Sequence, residues 1–145
     1  MGGRRQAREQ ALQLLYQVDM GKDSVDGALA RFWEDEDSPT DPDVVEFARI
    51  LTRGVTAHGA KIDELIGAAS INWKINRMSY VDRNILRIAV FEFIERDDIP
   101  PMVSMNEAIE LGKRFGTSES GSFINGILDR IARNLGLTSR PKGRR

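Results

Sequence analysis

Residues 79–96, SYVDRNILRIAVFEFIER, constrain the fold more than any other stretch of this chain. Ser79 is placed to cap a helix, and Asp82 falls near the positive end of its dipole. Val81, Ile85, Ile88, Ala89, Phe91, Phe93 and Ile94 are apolar, with Leu86 and Val90 between them. A surface helix carries one apolar stripe, but this segment is apolar around most of its circumference and must be covered on several sides. At 1.5 Å per residue it spans about 25 Å, the width of a small domain. The expectation is a central helix in a small all-helical protein.

The flanking segments supply its partners. Residues 4–20 form an amphipathic pattern, with Ala7, Ala11, Leu14, Leu15 and Val18 on one face and Arg4, Arg5, Arg8 and Gln13 outside it, projecting to solvent. Tyr16 lies at the border of the two faces. Gly21 ends this helix, and Asp23 or Ser24 caps a second over 25–34. Asp41 followed by Pro42 starts a third, whose buried face is Val44, Ala48, Leu51 and Val55 and which closes at His58-Gly59. A fourth covers 60–69, and Trp73 and Ile75 are expected to fasten the next connection to the core. Pro100-Pro101 breaks the chain after the central helix. Ser104 and Glu107 match a capping box and predict a helix starting there. A Gly/Ser/Thr loop over 116–120 leads to a last helix over 121–135, where Gly126 suggests a close helix crossing. No alternating strand pattern occurs. The fold class is all-α, about seven helices in two small packed bundles: one domain over 1–136, divided near 4–58 and 60–136 with an acidic loop as seam, and a disordered basic tail over 137–145.

Charge narrows the function. The formal net charge of −1 hides a strong segregation, because residues 23–46 hold nine acids against the single base Arg31, whereas both ends are arginine-rich. A basic end of this kind suggests a polyanionic partner, the alternative being that charged tails only aid solubility. The absence of cysteine excludes disulfides, thiol catalysis and cysteine-bound zinc. One histidine, His58, excludes a histidine-rich metal site. The glycines at 112, 116, 121 and 126 match neither a Walker loop nor a dinucleotide fingerprint. No metal, cofactor or catalytic residue is expected, and the lack of a long apolar run or an apolar leader suggests a cytoplasmic protein with no membrane partner.

Arginines on a helical face bind phosphates, and a neighbouring aromatic stacks on an unpaired base. Arg4, Arg5, Arg8 and Tyr16 fit that pairing on the first helix. Lys113, Arg114 and Phe123, around the Gly/Ser loop, form a second candidate patch. Core packing is the competing role for both aromatics.

Three segments resemble the NusB family of bacterial transcription antitermination factors: REQALQLLY at 8–16, VDRNILRIA at 81–89, and the run from Ile99-Pro100 through NEAIEL at 106–111 to FINGILD at 123–129. Their order and spacing span nearly the whole chain. The resemblance implies no enzyme activity and binding of the boxA element of nascent ribosomal RNA together with NusE, a small-subunit ribosomal protein, within an antitermination complex on RNA polymerase. It places RNA contacts at Arg4, Arg5, Arg8, Tyr16, Phe123 and the nearby acid Glu119, and partner contacts at Asp82 and Arg87. Gln6 interrupts the basic start, which implies weak RNA affinity without the partner, and Glu119 is expected to limit RNA binding by repulsion. Some relatives pair with themselves, so a homodimer is a further arrangement to consider. The alternative function is a protein-interaction adaptor of the transcription machinery without RNA specificity; an RNA methyltransferase, which fuses such a domain to a cofactor-binding one, lacks room here.

Overall fold

A computed structural model describes residues 2–21, 23–34 and 39–137. Seven α-helices follow one another: α1 (Gly2–Asp19), α2 (Val25–Arg31), α3 (Pro42–Ala57), α4 (Gly59–Ala69), α5 (Tyr80–Glu95), α6 (Pro101–Phe115) and α7 (Ser120–Asn134), with one 3-10 turn, Ile75–Arg77, before α5. The described residues contain no strand, and no helix among them is long and apolar enough to cross a membrane. The expected acidic seam falls mostly on residues 35–38, outside the described residues. So does the basic tail apart from Leu137, which packs against the core.

Helix α5 is the hub, and it packs against α1, α3, α4, α6 and α7. From Asn84 to Phe93 every residue except Arg87 is buried, including Ile85, Leu86, Ile88, Val90 and Glu92. The Ser79 hydroxyl accepts the Asp82 amide at 3.0 Å, so the expected cap is present. On one side α1, α2 and α3 pack together; on the other α6 and α7 form the closest pair, with α4 against α5 and α7. Both sets meet on α5, so most of the core is one continuous apolar cluster. Each fully buried Leu or Ile in it contributes about 1.5–3 kcal/mol.

Local chemistry sets the ends of the helices. Asp41 accepts the Asp43 amide at 2.8 Å and Pro42 takes the first turn of α3. Ser24 caps α2, which ends at Arg31 rather than running to residue 34. Gly21 and Gly136 follow α1 and α7 with φ of +74° and +72°, a backbone region closed to most side chains.

Three expectations need correction. Helix α6 begins at Pro101, not at Ser104: Pro100 is its cap and Pro101 its first residue, where no N–H is needed. The Ser104 hydroxyl is therefore free of capping and bonds elsewhere. Trp73 is 52% exposed and does not fasten its connection, although Ile75 does pack on the core. Gly126 faces open space rather than a helix crossing. The close approaches occur instead at Gly54, where a methyl would overlap the Phe91 ring, and at Gly112, where it would lie 2.8 Å from Ile124 Cδ1.

These two kinds of glycine separate experimentally. Gly126→Ala should stabilise the protein by about 0.5–1 kcal/mol through helix propensity alone. Gly54→Ala should destabilise it by about 1–3 kcal/mol by forcing Phe91 to move. Urea denaturation of the two variants checks both signs.

Candidate nucleic-acid interface

The amphipathic pattern of α1 delivers its arginines to two different environments. Arg4 and Arg5 are about half exposed at the helix start. Arg4 lies over the Phe47 ring, 4.3 Å from its centroid, and 3.8 Å from Asp98. Arg5 forms a two-point pair with Glu107 at 3.0 and 2.9 Å.

Arg8 does not project to solvent, contrary to the expectation from its chemistry. It is only 4% exposed, and its guanidinium donates to both Glu92 oxygens at 2.7 and 3.0 Å. Glu92 is 1% exposed and also accepts the Ser104 hydroxyl at 2.5 Å. Arg8 thus ties α1 to α5 and α6 from within, with no donor group offered to a ligand. Position decides this outcome: Arg8 follows Ala7 and lies one turn before Ala11 and Leu12, all buried. A buried cation survives only when paired, and its partner here is 84 residues away in sequence.

The remaining candidates gather around the end of α6. Arg114 pairs with Glu9 of α1 and lies over its neighbour Phe115. Tyr16 is 42% exposed, and its ring meets Tyr80 edge-on at 5.7 Å. Tyr16, Phe115, Leu12, Met20 and Val81 line a groove of about 730 Å³, with Glu9, Gln13 and Gln17 among its polar groups. Lys113 is exposed beside the 116–120 loop and lines a second hollow with Thr117, Ser118 and Asn125. Phe123 is half-buried, packs partly on the core, and lines a third cleft with Glu119, Ser120 and Asp82. Thr117 borders both of these last two clefts, so they adjoin around the loop. Phe115, not singled out from the sequence, is 40% exposed; its place directly after Lys113-Arg114 is the available signal.

Asp82 and Arg87 occupy different surroundings on α5. Asp82 faces the Phe123 cleft, and its Oδ1 is buried with no hydrogen-bond partner among the described residues. Arg87 is engaged inside the protein: it donates to Asp63 at 2.9 and 3.0 Å, to Asp19 at 3.1 Å and to Asn84 at 3.1 Å. Arg83 and Asn84 also reach Asp19, at 3.2 and 2.9 Å. This network fastens the end of α1 and the first half of α4 to α5.

Two carboxyls at the arginine end titrate low. The Arg96 guanidinium hydrogen-bonds Asp98 and holds it at about 2. Glu107 is lowered chiefly by its hydrogen bonds from Arg5. Among the described residues no cluster of three or more His, Asp or Glu could hold a metal. The arrangement offers arginines, exposed aromatics and shallow grooves, the components of a surface that binds single-stranded nucleic acid.

The NusB family model matches residues 5–133. The chain is 52% identical over 134 residues to the transcription antitermination protein NusB of Myxococcus xanthus, covering 91% of this chain and 96% of that one. It is 53% identical over 131 residues to that of Desulforapulum autotrophicum, covering 90% and 92%. Among solved structures, NusB of T. maritima is 41% identical with a TM-score of 0.79 and 90% coverage of both chains. A chain in the complex of antitermination factors NusB and NusE with double-stranded RNA is 27% identical with a TM-score of 0.80, covering 92% of this chain and 98% of that one.

The buried pair and the low carboxyls make separate predictions. Glu92→Gln leaves Arg8 charged in the core and should cost about 3–5 kcal/mol in a denaturant melt, whereas Arg8→Met with Glu92→Met and Ser104→Ala, which leaves no buried polar group unpaired, should lie near wild type. Asp98 and Glu107 bind protons less readily in the folded chain than in the unfolded one. Their contribution is complete above their ordinary values of 3.8 and 4.5 and is lost as pH falls through their lowered values, about 2 for Asp98. Thermal melts should therefore show Tm falling below pH 4.5, with a smaller fall in the Asp98→Asn, Glu107→Gln double variant.

Proposed function

Because the chain belongs to the NusB family of non-enzymatic transcription antitermination factors, we infer that its basic and aromatic face binds the boxA element of nascent ribosomal RNA jointly with NusE. The observation that carries this reading is the groove in which Tyr16 and Phe115 stand exposed beside Arg114, adjoining the clefts of Lys113 and Phe123. Such a surface offers ring faces for unpaired bases and cations for the phosphates between them. The related NusB–NusE–RNA complex supports both partners, and antitermination places the assembly on RNA polymerase, in the cytoplasm.

Roles follow from position. Arg4, Arg5, Lys113 and Arg114 meet phosphates; Tyr16 and Phe123 meet bases. Arg8 acts from within, holding α1 so that Arg4 and Arg5 are presented. Glu119, exposed at the cap of α7, repels the RNA backbone and limits affinity. Asp82 faces NusE, and Arg87 shapes that surface by fixing α4 and the end of α1 on α5.

Fluorescence anisotropy with boxA RNA and a scrambled control, with and without NusE, tests the reading. Binding should be tighter and sequence-selective when NusE is present. Phe123→Ala should weaken it by about 5- to 150-fold, the loss of one stacked base. Arg114→Ala should weaken all RNAs alike and flatten the dependence of log K on log salt. Glu119→Gln should raise RNA affinity, and Asp82→Lys should impair NusE binding measured without RNA. A chain that binds NusE but no RNA at any salt concentration would instead be an adaptor.

A further inference from the structure

The connection between α4 and α5 carries a group of side chains that the interface above does not use. Trp73 is 52% exposed, although tryptophan is mostly buried in folded domains. Its backbone is well held: the Ser70 hydroxyl donates to the Trp73 carbonyl at 2.5 Å, and the Arg77 and Met78 amides close the following turn at 2.9 and 3.0 Å. Met78 anchors that turn in the core, and Arg83 reaches the Ile75 carbonyl at 3.4 Å. The ring is thus presented outward by an ordered loop.

Two features indicate what it is presented to. Arg5, Arg8, Arg87 and Arg114 each lie on a carboxylate, but Lys74 and Arg77 make no ion pair among the described residues. These two cations follow Trp73 by one and four residues, and all three side chains line one hollow. Trp73 and Arg77 together border two clefts, one of about 210 Å³ shared with Phe123 and one of about 250 Å³ shared with Asn72 and Lys74. An exposed indole beside unpaired cations, sharing a cleft with the ring of Phe123, has the make-up of a site for unpaired nucleotides.

We propose that the α4–α5 connection is a second stacking platform for single-stranded RNA, in which Trp73 takes an unpaired base and Lys74 and Arg77 take the adjoining phosphates. It rests on the RNA-binding reading above and extends that surface past Phe123. Asp82 and Glu119 form part of the wall of the Phe123 cleft, so the phosphates run along the Lys74–Arg77 side and the base turns inward.

The test uses the full chain with NusE and two RNA probes, boxA alone and boxA extended at either end by unpaired nucleotides. In a Trp33→Phe background Trp73 is the sole tryptophan, and the extended RNA should quench its emission saturably. Trp73→Ala should weaken binding of the extended RNA by about 5- to 150-fold and Trp73→Phe by much less. Lys74→Gln with Arg77→Gln should reduce the salt slope by about 1.4, at about 0.7 for each phosphate contact on a single strand. This double substitution is at the surface and serves as the deciding arm if Trp73→Ala lowers Tm. Unchanged emission and affinity, with Phe123→Ala still weakening binding, would overturn the platform and leave the proposed function standing. Loss of NusE affinity in Trp73→Ala without RNA would assign the face to protein and overturn it too. No RNA binding by the unaltered chain would overturn both readings.

Discussion

The pairing of Arg8 with Glu92 is the interaction on which the rest of the structure depends. Two charges in the middle of an apolar core are costly unless each satisfies the other, and here the guanidinium, the carboxylate and the Ser104 hydroxyl close on one another across three helices. The pair is weak evidence for net stability, since apolar side chains of similar volume would serve as well. Its consequence is geometric. A second network of opposite polarity lies at the other end of α1, where Asp19 meets Arg83, Asn84 and Arg87. The first half of α1 is cationic against the end of α5, and its last residue is anionic against the start of α5. Running α1 the other way would set Arg8 against Arg83 and Arg87. The two clamps therefore fix the direction and register of α1, which apolar packing alone leaves loosely specified.

That constraint determines what the surface can present. With α1 pinned, Arg5 falls beside Glu107, Arg4 near Asp98, and Arg114 beside Glu9. The carboxylates keep the arginines extended and oriented, but they also cancel much of their field. The groove behind them gains its character from Tyr16 and Phe115, which line it and stay partly exposed. Position along α1 thus separates one arginine that builds the surface from two that belong to it.

The elements legible in the sequence are those governed by local chemistry. The all-round apolar character of 79–96 identifies the hub, and Ser79, Asp41-Pro42 and Gly21 mark helix ends because each solves a backbone problem within a few residues. The misreadings have a non-local cause. Ser104 and Glu107 have the spacing of a capping box, yet Ser104 bonds Glu92 and Glu107 bonds Arg5, and the prolines already supply the helix start. The chemistry of Arg8 points to solvent, while its place between Ala7 and Ala11 assigns it to the core. The chemistry of Trp73 points to the core, and its place on a connection leaves it outside. Position outweighs residue type in both cases, and in both the deciding partner, or its lack, lies far along the chain. Of the candidate site, the aromatic and basic residues are legible as a set; which of them remain free is not, because ion pairing is a property of the packed helices.

The degree of pairing bears directly on how such a surface works. Affinity for a polyanion comes mainly from cations that release counterions from phosphates, and each cation already on a carboxylate gains less by exchanging it for a phosphate. A chain with net charge −1 and most of its interface arginines so occupied has little non-specific pull on RNA. If Tyr16 and Phe123 stack on bases as proposed, stacking is then a larger share of the binding energy, and stacking needs unpaired bases held in a defined path. A protein partner that adds cations and a second wall supplies what this face lacks. On the proposed reading, joint recognition with NusE has a physical reason in the salt bridges of α1: the contacts that give the surface its shape also offset its positive charge.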